Sequence, residues 1–398
     1  MNNVDLIIYG ILTMALLVIG LFTLYYIYFA VVYLLKRDRM PQVKKEKYSF
    51  LVLVPAHNEE MTLPKTLQSI SSLHYPRHLL NVLVVADNCN DKTAQIAQMM
   101  GVECLVRTNM REVGKGYALK WGIDHISDRE FDVLVIIDAD TRIDEDFLTW
   151  MNHEFSEGAC VAQGFNHISN PYQSPLTRLM EVTSYLKNML YYGGKRKIGL
   201  SSALMGTGMA FHRDIIHKYG WTAFSVGEDW EQTCIYAHAG IPVVFVERAK
   251  IYAEEAATFR QGYSQRIRWA GGKYQTSWRY GGNLLIQGIR QRNILEIDIG
   301  LTILAPNYSL LANLTVLLII SSLFLPYSVG KVWYQMAALI ALGAQILYFC
   351  LGLFLMKPTR QTFVSILLAP VFLLWKLFID VSIILKAKNM KWVRTRRS

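Results

Sequence analysis

The segment from Leu6 to Leu35 carries no formally charged side chain over roughly 30 residues. As a helix it would extend about 45 Å, against a bilayer hydrocarbon core of about 30 Å, so it can span a membrane with some tilt. Secretory leaders start with positive charge and have an apolar core of about 7–15 residues. This segment begins Met1-Asn2-Asn3-Val4-Asp5 and runs much longer, which makes it an anchor. A chain of 398 residues with 52% hydrophobic side chains is too apolar for one ordinary soluble domain, so further membrane segments are expected.

Lys36, Arg37, Arg39, Lys44, Lys45 and Lys47 follow the anchor, and the positive-inside rule places what comes next in the cytosol. The net charge of +10 gathers beside apolar segments and at the C-terminus, while both signs mix through the middle. That distribution suits a membrane surface and not nucleic acid. Cys89, Cys104, Cys160, Cys234 and Cys350 are widely spaced and never form C-x-x-C, so neither a disulfide framework nor a zinc site is implied.

Three more apolar runs fill the C-terminal third: Leu301 to Leu325, Val332 to Met356 and Phe363 to Leu385. The first two read as plain spans. The third contains Pro370, Lys376 and Asp380, and a full crossing would carry the basic tail Lys386 to Arg397 outside, against the charge rule. Either it is re-entrant or interfacial, with Lys376 and Asp380 paired one helical turn apart, or those two side chains line a polar path. The expected plan is an N-terminal transmembrane anchor (1–40), a soluble domain (41–280), an interfacial helix (281–300) and a C-terminal transmembrane bundle with its basic tail (301–398). Asn307-Tyr-Ser and Asn313-Leu-Thr match glycosylation sequons, but inside an apolar run they read as chance.

The soluble part alternates strand, turn and helix. Tyr48 to Pro55, Leu80 to Ala86, Glu103 to Arg107 and Val133 to Ile137 read as strands; Leu63 to Leu73, Thr93 to Met100 and Gly116 to Ile126 read as helices. This alternation predicts an α/β fold with a mostly parallel sheet covered on both faces. Such sheets bind ligands beyond the carboxyl ends of their strands. Those ends are rich in carboxylates: Pro55-Ala-His-Asn-Glu59-Glu60, Asp87-Asn-Cys-Asn-Asp91 and Asp138-Ala139-Asp140. A nucleotide sugar needs both a divalent cation on its diphosphate and acceptors for its base and ribose. Asp138 and Asp140 could clamp the diphosphate through Mg²⁺ or Mn²⁺, ions that take one or two carboxylates with phosphate and water oxygens. Taken singly, each of these acids would more often be a turn or cap residue. Gly114-Lys115-Gly116 adds a cation suited to phosphate on the same rim, though it is no P-loop.

Two signals lie further on. Gly227-Glu228-Asp229-Trp230 opens a helix roughly 90 residues past the D-x-D. Transfer to a hydroxyl requires a base, and Asp229 is the candidate, with Glu228 beside it in the catalytic pair. Gln265-Arg-Ile-Arg268-Trp269 puts an amide, a guanidinium and an indole on one helical face. Arg268 could hold a leaving diphosphate by its fork of donors, and Trp269 offers a flat platform to a sugar. Alone, the motif would read as an interfacial amphipathic helix.

The ordered set Asp87, Asp138-Ala-Asp140, Glu228-Asp229 and Gln265-Arg-Ile-Arg-Trp269 resembles the D, DxD, ED, QxxRW signature of family 2 inverting glycosyltransferases, over about residues 48 to 275. The membrane layout is similar to the processive branch that includes poly-N-acetylglucosamine, chitin-oligosaccharide, hyaluronan and cellulose synthases. The resemblance implies a GT-A fold, a UDP-sugar donor, and a multi-pass inner-membrane protein with its catalytic domain in the cytosol. It also implies contacts of Glu59 and Asp87 with uridine and ribose, a metal on Asp140 backed by Asp138, and a grip of Gln265, Arg268 and Trp269 on diphosphate and acceptor end. Gly206-Thr207-Gly208 resembles the family's acceptor loop; glycines serving a turn or bulge explain it equally well. The basic tail Lys391-Trp-Val-Arg-Thr-Arg-Arg resembles that of some such synthases.

The expected reaction is attack by an acceptor hydroxyl opposite the leaving nucleotide diphosphate, so that an α-linked donor gives a β-linked product. The acceptor is a growing glycan, exported beside the bundle with room for an accessory export subunit, or a lipid. Single transfer to a lipid or polyprenyl carrier needs the same carboxylates, and the aromatic, basic stretch Tyr185 to Lys197 could dock on membrane lipid for either. The remoter alternative is a membrane scaffold that binds nucleotide sugar without turnover, against which an intact Asp229 and QxxRW motif argue.

Overall fold

Short β-branched and aliphatic runs bounded by turn formers build an eight-stranded sheet in the computed structural model, which describes residues 3–36, 41–325 and 329–384. Arg37 and Arg39 of the basic group after the anchor, residues 326–328 and the tail from 385 onward lie outside the described residues. The strands are β1 (Phe50–Ala56), β2 (Leu80–Asp87), β3 (Glu103–Arg107), β4 (Val133–Ile136), β5 (Thr141–Ile143), β6 (Val161–Ile168), β7 (Met209–His212) and β8 (Val243–Ala253). Their order across the sheet is β3-β2-β1-β4-β7-β6-β8-β5.

The first half is the parallel sheet the alternation predicts, with β2 and β4 flanking β1 and β3 outside β2. Every residue of β1 but Pro55 is buried, which explains its unbroken apolar sequence. Leu63, Leu67 and Ile70 pack on one face with Phe147 and Met151; Leu119, Ile123 and Tyr236 pack on the other. The second half is mixed. β7 runs antiparallel to both β4 and β6, while β6 and β8 are parallel to each other. The carboxyl ends of β1, β2 and β4 therefore share one edge, and the loop before β7 returns to it.

Among the described residues two helices are long and apolar enough to cross a membrane, within Ile8–Leu35 and Gly330–Met356. The run expected as a single span from Leu301 is instead broken. Ile294–Leu304 and Tyr308–Leu323 meet at 61°, so the plain-span reading is corrected. The cause is Pro306, which lacks a donor and drives Ala305 to an extended ψ of 126°. The third run is likewise two helices, Arg360–Ile366 and Ala369–Ile384, bent by 56° between their apolar parts, with Pro370 in the first turn of the second. Counting each bent pair as one crossing gives up to four spans.

The bundle is joined to the sheet domain by buried polar and aromatic contacts. Phe29 of the first helix packs with Tyr191, Tyr192 and Phe245. Lys195, wholly buried, pairs with Asp298 at 2.9 Å and donates to Thr302 at 2.6 Å. Asn307 accepts from Lys273, and Asn313 donates to the Leu373 carbonyl, so both sequon asparagines are engaged inside the fold.

Candidate active site

The acidic pair Glu228-Asp229 sits in the first turn of the helix Glu228–His238, where exposed backbone N–H groups favour negative charge. Its position is fixed by a glycine contact. A Cβ on Gly227 would lie 2.8 Å from the Gly272 backbone, and one on Gly272 would lie 2.7 Å from Gly227. Glycine at both positions lets this helix start touch the helix Phe259–Thr276, which carries Gln265, Arg268 and Trp269. Two motifs distant in sequence thus face one another.

Lys115 ties the remaining parts together. Its ammonium pairs with Asp138, donates to the Gly206 carbonyl at 2.6 Å and stands 3.9 Å from Glu228. Gly206 has φ +83°, and a Cβ there would be 3.7 Å from both Asp229 Oδ2 and Lys115 Nζ. The backbone thus passes within van der Waals reach of the acidic pair, and the positive φ there favours glycine. Thr207 Oγ1 accepts from the Asp138 amide at 3.0 Å, and buried Gln163 donates to the Thr207 carbonyl at 2.9 Å. The loop before β7 is therefore stitched to the end of β4.

Burial sets the protonation of this cluster. It pushes Glu228 up to about 7, opposed by Lys115 and reinforced by Asp229. Burial also raises Asp229, against the Trp230 amide, which donates to Oδ1 at 2.9 Å, and against Lys115 and Lys187. Burial alone would lower Lys115, but Asp138, Glu228 and Asp229 hold it above the ordinary lysine value.

A cleft of about 460 Å³ runs past these groups. Of the residues singled out in the sequence, Lys115, Asp138, Asp140, Gly206, Thr207, Glu228, Asp229, Gln265, Arg268 and Trp269 line it. Glu59, Asp87 and Gly208 do not. Glu59 accepts from Thr62 at 2.6 Å at a helix start, Gly208 packs against Ile251, and Asp87 ends β2. Asp87 is 4% exposed and held by Arg107, 3% exposed, at 2.6 Å. Burial raises the Asp87 carboxyl, and Arg107 opposes it. Motif reasoning missed Arg107, although it ends the neighbouring parallel strand in register with Asp87. It also missed Lys187, Trp230 and Lys273, which line the cleft from three separate helical stretches.

Asp138 and Asp140 supply the hard oxygen atoms a divalent cation takes, and both face the cleft. Among the described residues no three His, Cys, Asp or Glu side chains gather as a metal cage. The pair fits Mg²⁺ or Mn²⁺ only in company with oxygens of a bound diphosphate. Arg268 makes no hydrogen bond among the described residues, and its buried Nε is left open.

Comparisons with known proteins agree with this architecture. A probable glycosyltransferase of Bacillus subtilis is 30% identical over 248 residues, 59% of this chain and 57% of that protein. The poly-β-1,6-N-acetyl-D-glucosamine synthase of Staphylococcus epidermidis is 23% identical over 57% of this chain and 55% of its own length. The chain thus spans little more than half the length of these relatives. A mannosyltransferase of Pyrobaculum calidifontis, solved with GDP-Man and Mn²⁺, superposes with a TM-score of 0.58 at 19% identity, over 87% of this chain and 96% of that one. Its likeness supports the fold, which is GT-A, with apolar helices before and after it. The model of the family described as glycosyltransferase like family 2 matches residues 48–272, more than half of the chain, and this protein belongs to that family of glycosyltransferases.

Proposed function

We propose that the protein is a multi-pass inner-membrane enzyme that uses a UDP-sugar, with inversion, to build a β-linked polysaccharide on the cytosolic face, coupled to export. The observation that carries this reading is the continuity of the cleft. It joins Asp138, Asp140 and Asp229 to Asn307, Tyr308 and Tyr348 of the apolar helices, so that an acceptor can approach from the membrane side. In this reading residues 1–40 anchor, 41–280 catalyse, 281–300 lie at the interface and 301–398 form the bundle.

Asp87, fixed by Arg107, and Glu59 bind uridine and ribose. Asp138 and Asp140 would hold Mg²⁺ or Mn²⁺ with the donor diphosphate, and when bound the ion supplies positive charge to the departing group. Arg268, with Gln265, grips the same diphosphate through donors that no other described residue occupies. Asp229 takes the proton of the acceptor hydroxyl, and Glu228 lies beside it. Lys115 keeps Asp138, the Gly206 carbonyl and Glu228 in register. Trp269, exposed on the cleft wall beside Arg266, stacks on the acceptor sugar, and Gly206 and Thr207 frame the approach, with Gly208 packed behind them on Ile251.

The test is the purified chain supplied with a panel of UDP-sugars and Mg²⁺ or Mn²⁺, reading UDP release and product size, repeated in sealed vesicles. Long polymer appearing inside the vesicles supports synthesis with export. Polymer confined to the outside removes the export step. A second reading, one sugar transferred to a lipid carrier, is favoured by the lysines at the membrane end of the cleft, and single-addition products would establish it.

A further inference from the structure

We infer that the membrane end of this cleft binds the phosphate of a lipid-borne acceptor, with Lys187, Lys273 and Lys376 as the cations that hold it. The inference rests on the reading above, in which Asp229 receives the proton of an acceptor hydroxyl, and it adds what that acceptor carries.

Three lysines from three distant parts of the chain meet here. The ammonium groups of Lys187 and Lys273 stand 5.8 and 5.6 Å from the centre of the same Trp230 ring. Trp230 directly follows Asp229. Lys376, only 9% exposed, lines the cleft from the helix Ala369–Ile384. Neither Lys187 nor Lys376 forms a hydrogen bond or an ion pair among the described residues; Lys187 has ring contacts alone. Lys273 donates to the Ala305 carbonyl at 2.7 Å and to Asn307 Oδ1 at 3.2 Å, leaving its third N–H unspent.

None of the three lysines is ion-paired among the described residues, although carboxylates face them: Asp229 near Lys187, Glu255, itself paired with Arg266, near Lys376, and Asp380 near Lys273 and Lys376. Asp380 is fully buried beside the Tyr274 hydroxyl, and neither of its oxygens makes a hydrogen bond among the described residues. Burial, with the like charges of Lys187 and Lys376, pushes Lys273 down to about 7 even though Asp380 opposes it. Holding several ammonium groups together in a partly dry cleft is costly unless an anion joins them. Mobile point charges with spare donors suit a phosphate.

The surroundings identify a lipid. Tyr348 and Phe372, both on the apolar helices, line the same cleft, so a phosphate held by the lysines has an apolar wall beside it. The donor diphosphate belongs to the other end, with Asp138 and Asp140. The bound acceptor is thus a lipid whose headgroup hydroxyl reaches Asp229 while its phosphate stays with the lysines. The hydroxyl oxygen bonds to the anomeric carbon as the carbon–oxygen bond to the donor diphosphate breaks. That electron pair leaves with the nucleoside diphosphate, the proton passes to Asp229, and the lipid phosphate changes no bond.

The experiment gives membranes containing the full chain a radiolabelled sugar donor, extracts the product and passes it over an anion exchanger. Labelled lipid retained as an anion is expected. Lys187→Gln and Lys376→Gln should each lower transfer into it by at least about tenfold, and arginine at either position should restore much of it. UDP affinity, the check on folding, should stay within about twofold because the donor lies at the far end of the cleft. Label in a neutral lipid or a free neutral glycan overturns the inference and leaves the transferase reading standing, as does wild-type transfer by both glutamine variants. Label in a water-soluble acidic glycan also overturns it, assigning the lysines to glycan carboxylates. Wild-type protein that neither binds UDP nor releases it from any donor would sink the transferase reading itself.

Discussion

At the strand ends beside the cleft the carboxylates Asp87, Asp138 and Glu228 are matched by cations before any ligand arrives, while Arg268, assigned to the donor, is left open among the described residues. Arg107 is paired with Asp87 at 2.6 Å and with Glu112 at 3.2 Å, and Lys115 is shared among Asp138, the Gly206 carbonyl and Glu228. At the membrane end, among the described residues, Lys187 and Lys376 make no hydrogen bond and neither Asp380 oxygen makes one, although the Tyr274 hydroxyl lies beside it. The difference separates two tasks. A preorganised polar network can stabilise charge that develops during reaction without rearranging. An under-satisfied group, by contrast, is completed by what binds to it. The sheet end has the character of reaction machinery, and the membrane end that of a recognition site.

The largest effect that would test the division is at Asp229. Asp229→Asn keeps the shape and the start of the helix but removes the base, so turnover should fall by about 10²–10⁴-fold while UDP still binds. Steady-state UDP release together with calorimetric UDP binding reads both quantities. Unchanged turnover would remove Asp229 from the mechanism and empty the sheet end of its claimed role. The next effect is on stability. Arg107→Leu strands a buried carboxylate and should cost about 3–5 kcal/mol in denaturant unfolding of the detergent-solubilised protein. A loss below about 1 kcal/mol would mean that Asp87 is not held by its partner, so the strand ends and the membrane end of the cleft would not differ as described.

A smaller effect follows from Glu228. Its folded carboxyl titrates near 7 instead of 4.5 because it is buried, so the folded state binds this proton more tightly than the unfolded chain does. The stability it contributes is fully present below its ordinary value and is lost as pH rises through about 7. In metal-free buffer the unfolding midpoint of the unliganded protein should therefore fall from about pH 5 to about pH 7.5, and Glu228→Gln should flatten that fall. An equally steep fall in the variant would assign the slope to another group.

The same division explains what could be read from the sequence. The sheet end was legible because its residues sit at strand ends or in short motifs, where Asp138-Ala-Asp140 and Gln265 to Trp269 occupy consecutive positions. The parallel half of the sheet was legible for a related reason, since buried parallel strands show as continuous apolar runs. β7 was not, because its place between β4 and β6 is set by long-range pairing and not by local pattern. The break at Pro306 was visible as a residue, yet the hydrophobicity around it masked the bend. Trp230 closes the Gly227-Glu228-Asp229-Trp230 motif and Lys187 lies in the aromatic, basic stretch Tyr185 to Lys197, but neither pattern, nor any around Lys273, says that these side chains meet Lys376; only packing of separate helices brings them together. Lys376 and Asp380 were noticed as charges in an apolar run, either paired or lining a polar path; they attract one another without a hydrogen bond among the described residues, and Lys376 lines the cleft.

Asp380 is where the contrast between the two ends should show its smallest effect on stability. Asp380→Asn keeps the shape, removes a buried charge whose oxygens make no hydrogen bond among the described residues, and gives up attraction to Lys273 and Lys376. Relief of desolvation and loss of attraction oppose each other, so unfolding should change by no more than about 1 kcal/mol, far less than for Arg107→Leu. Lys273 and Lys376, released from the carboxylate they share, should then hold an anionic acceptor more tightly, lowering its apparent KM by about two- to fivefold. Acceptor titrations at saturating donor, at low and high salt, would read this, and the gain should shrink as salt screens the site. If Asp380→Asn instead unfolds the protein as severely as Arg107→Leu, then Asp380 is as fully satisfied as Asp87. The membrane end would then be structural, built to hold the helix Ala369–Ile384 in place and not to recognise a ligand.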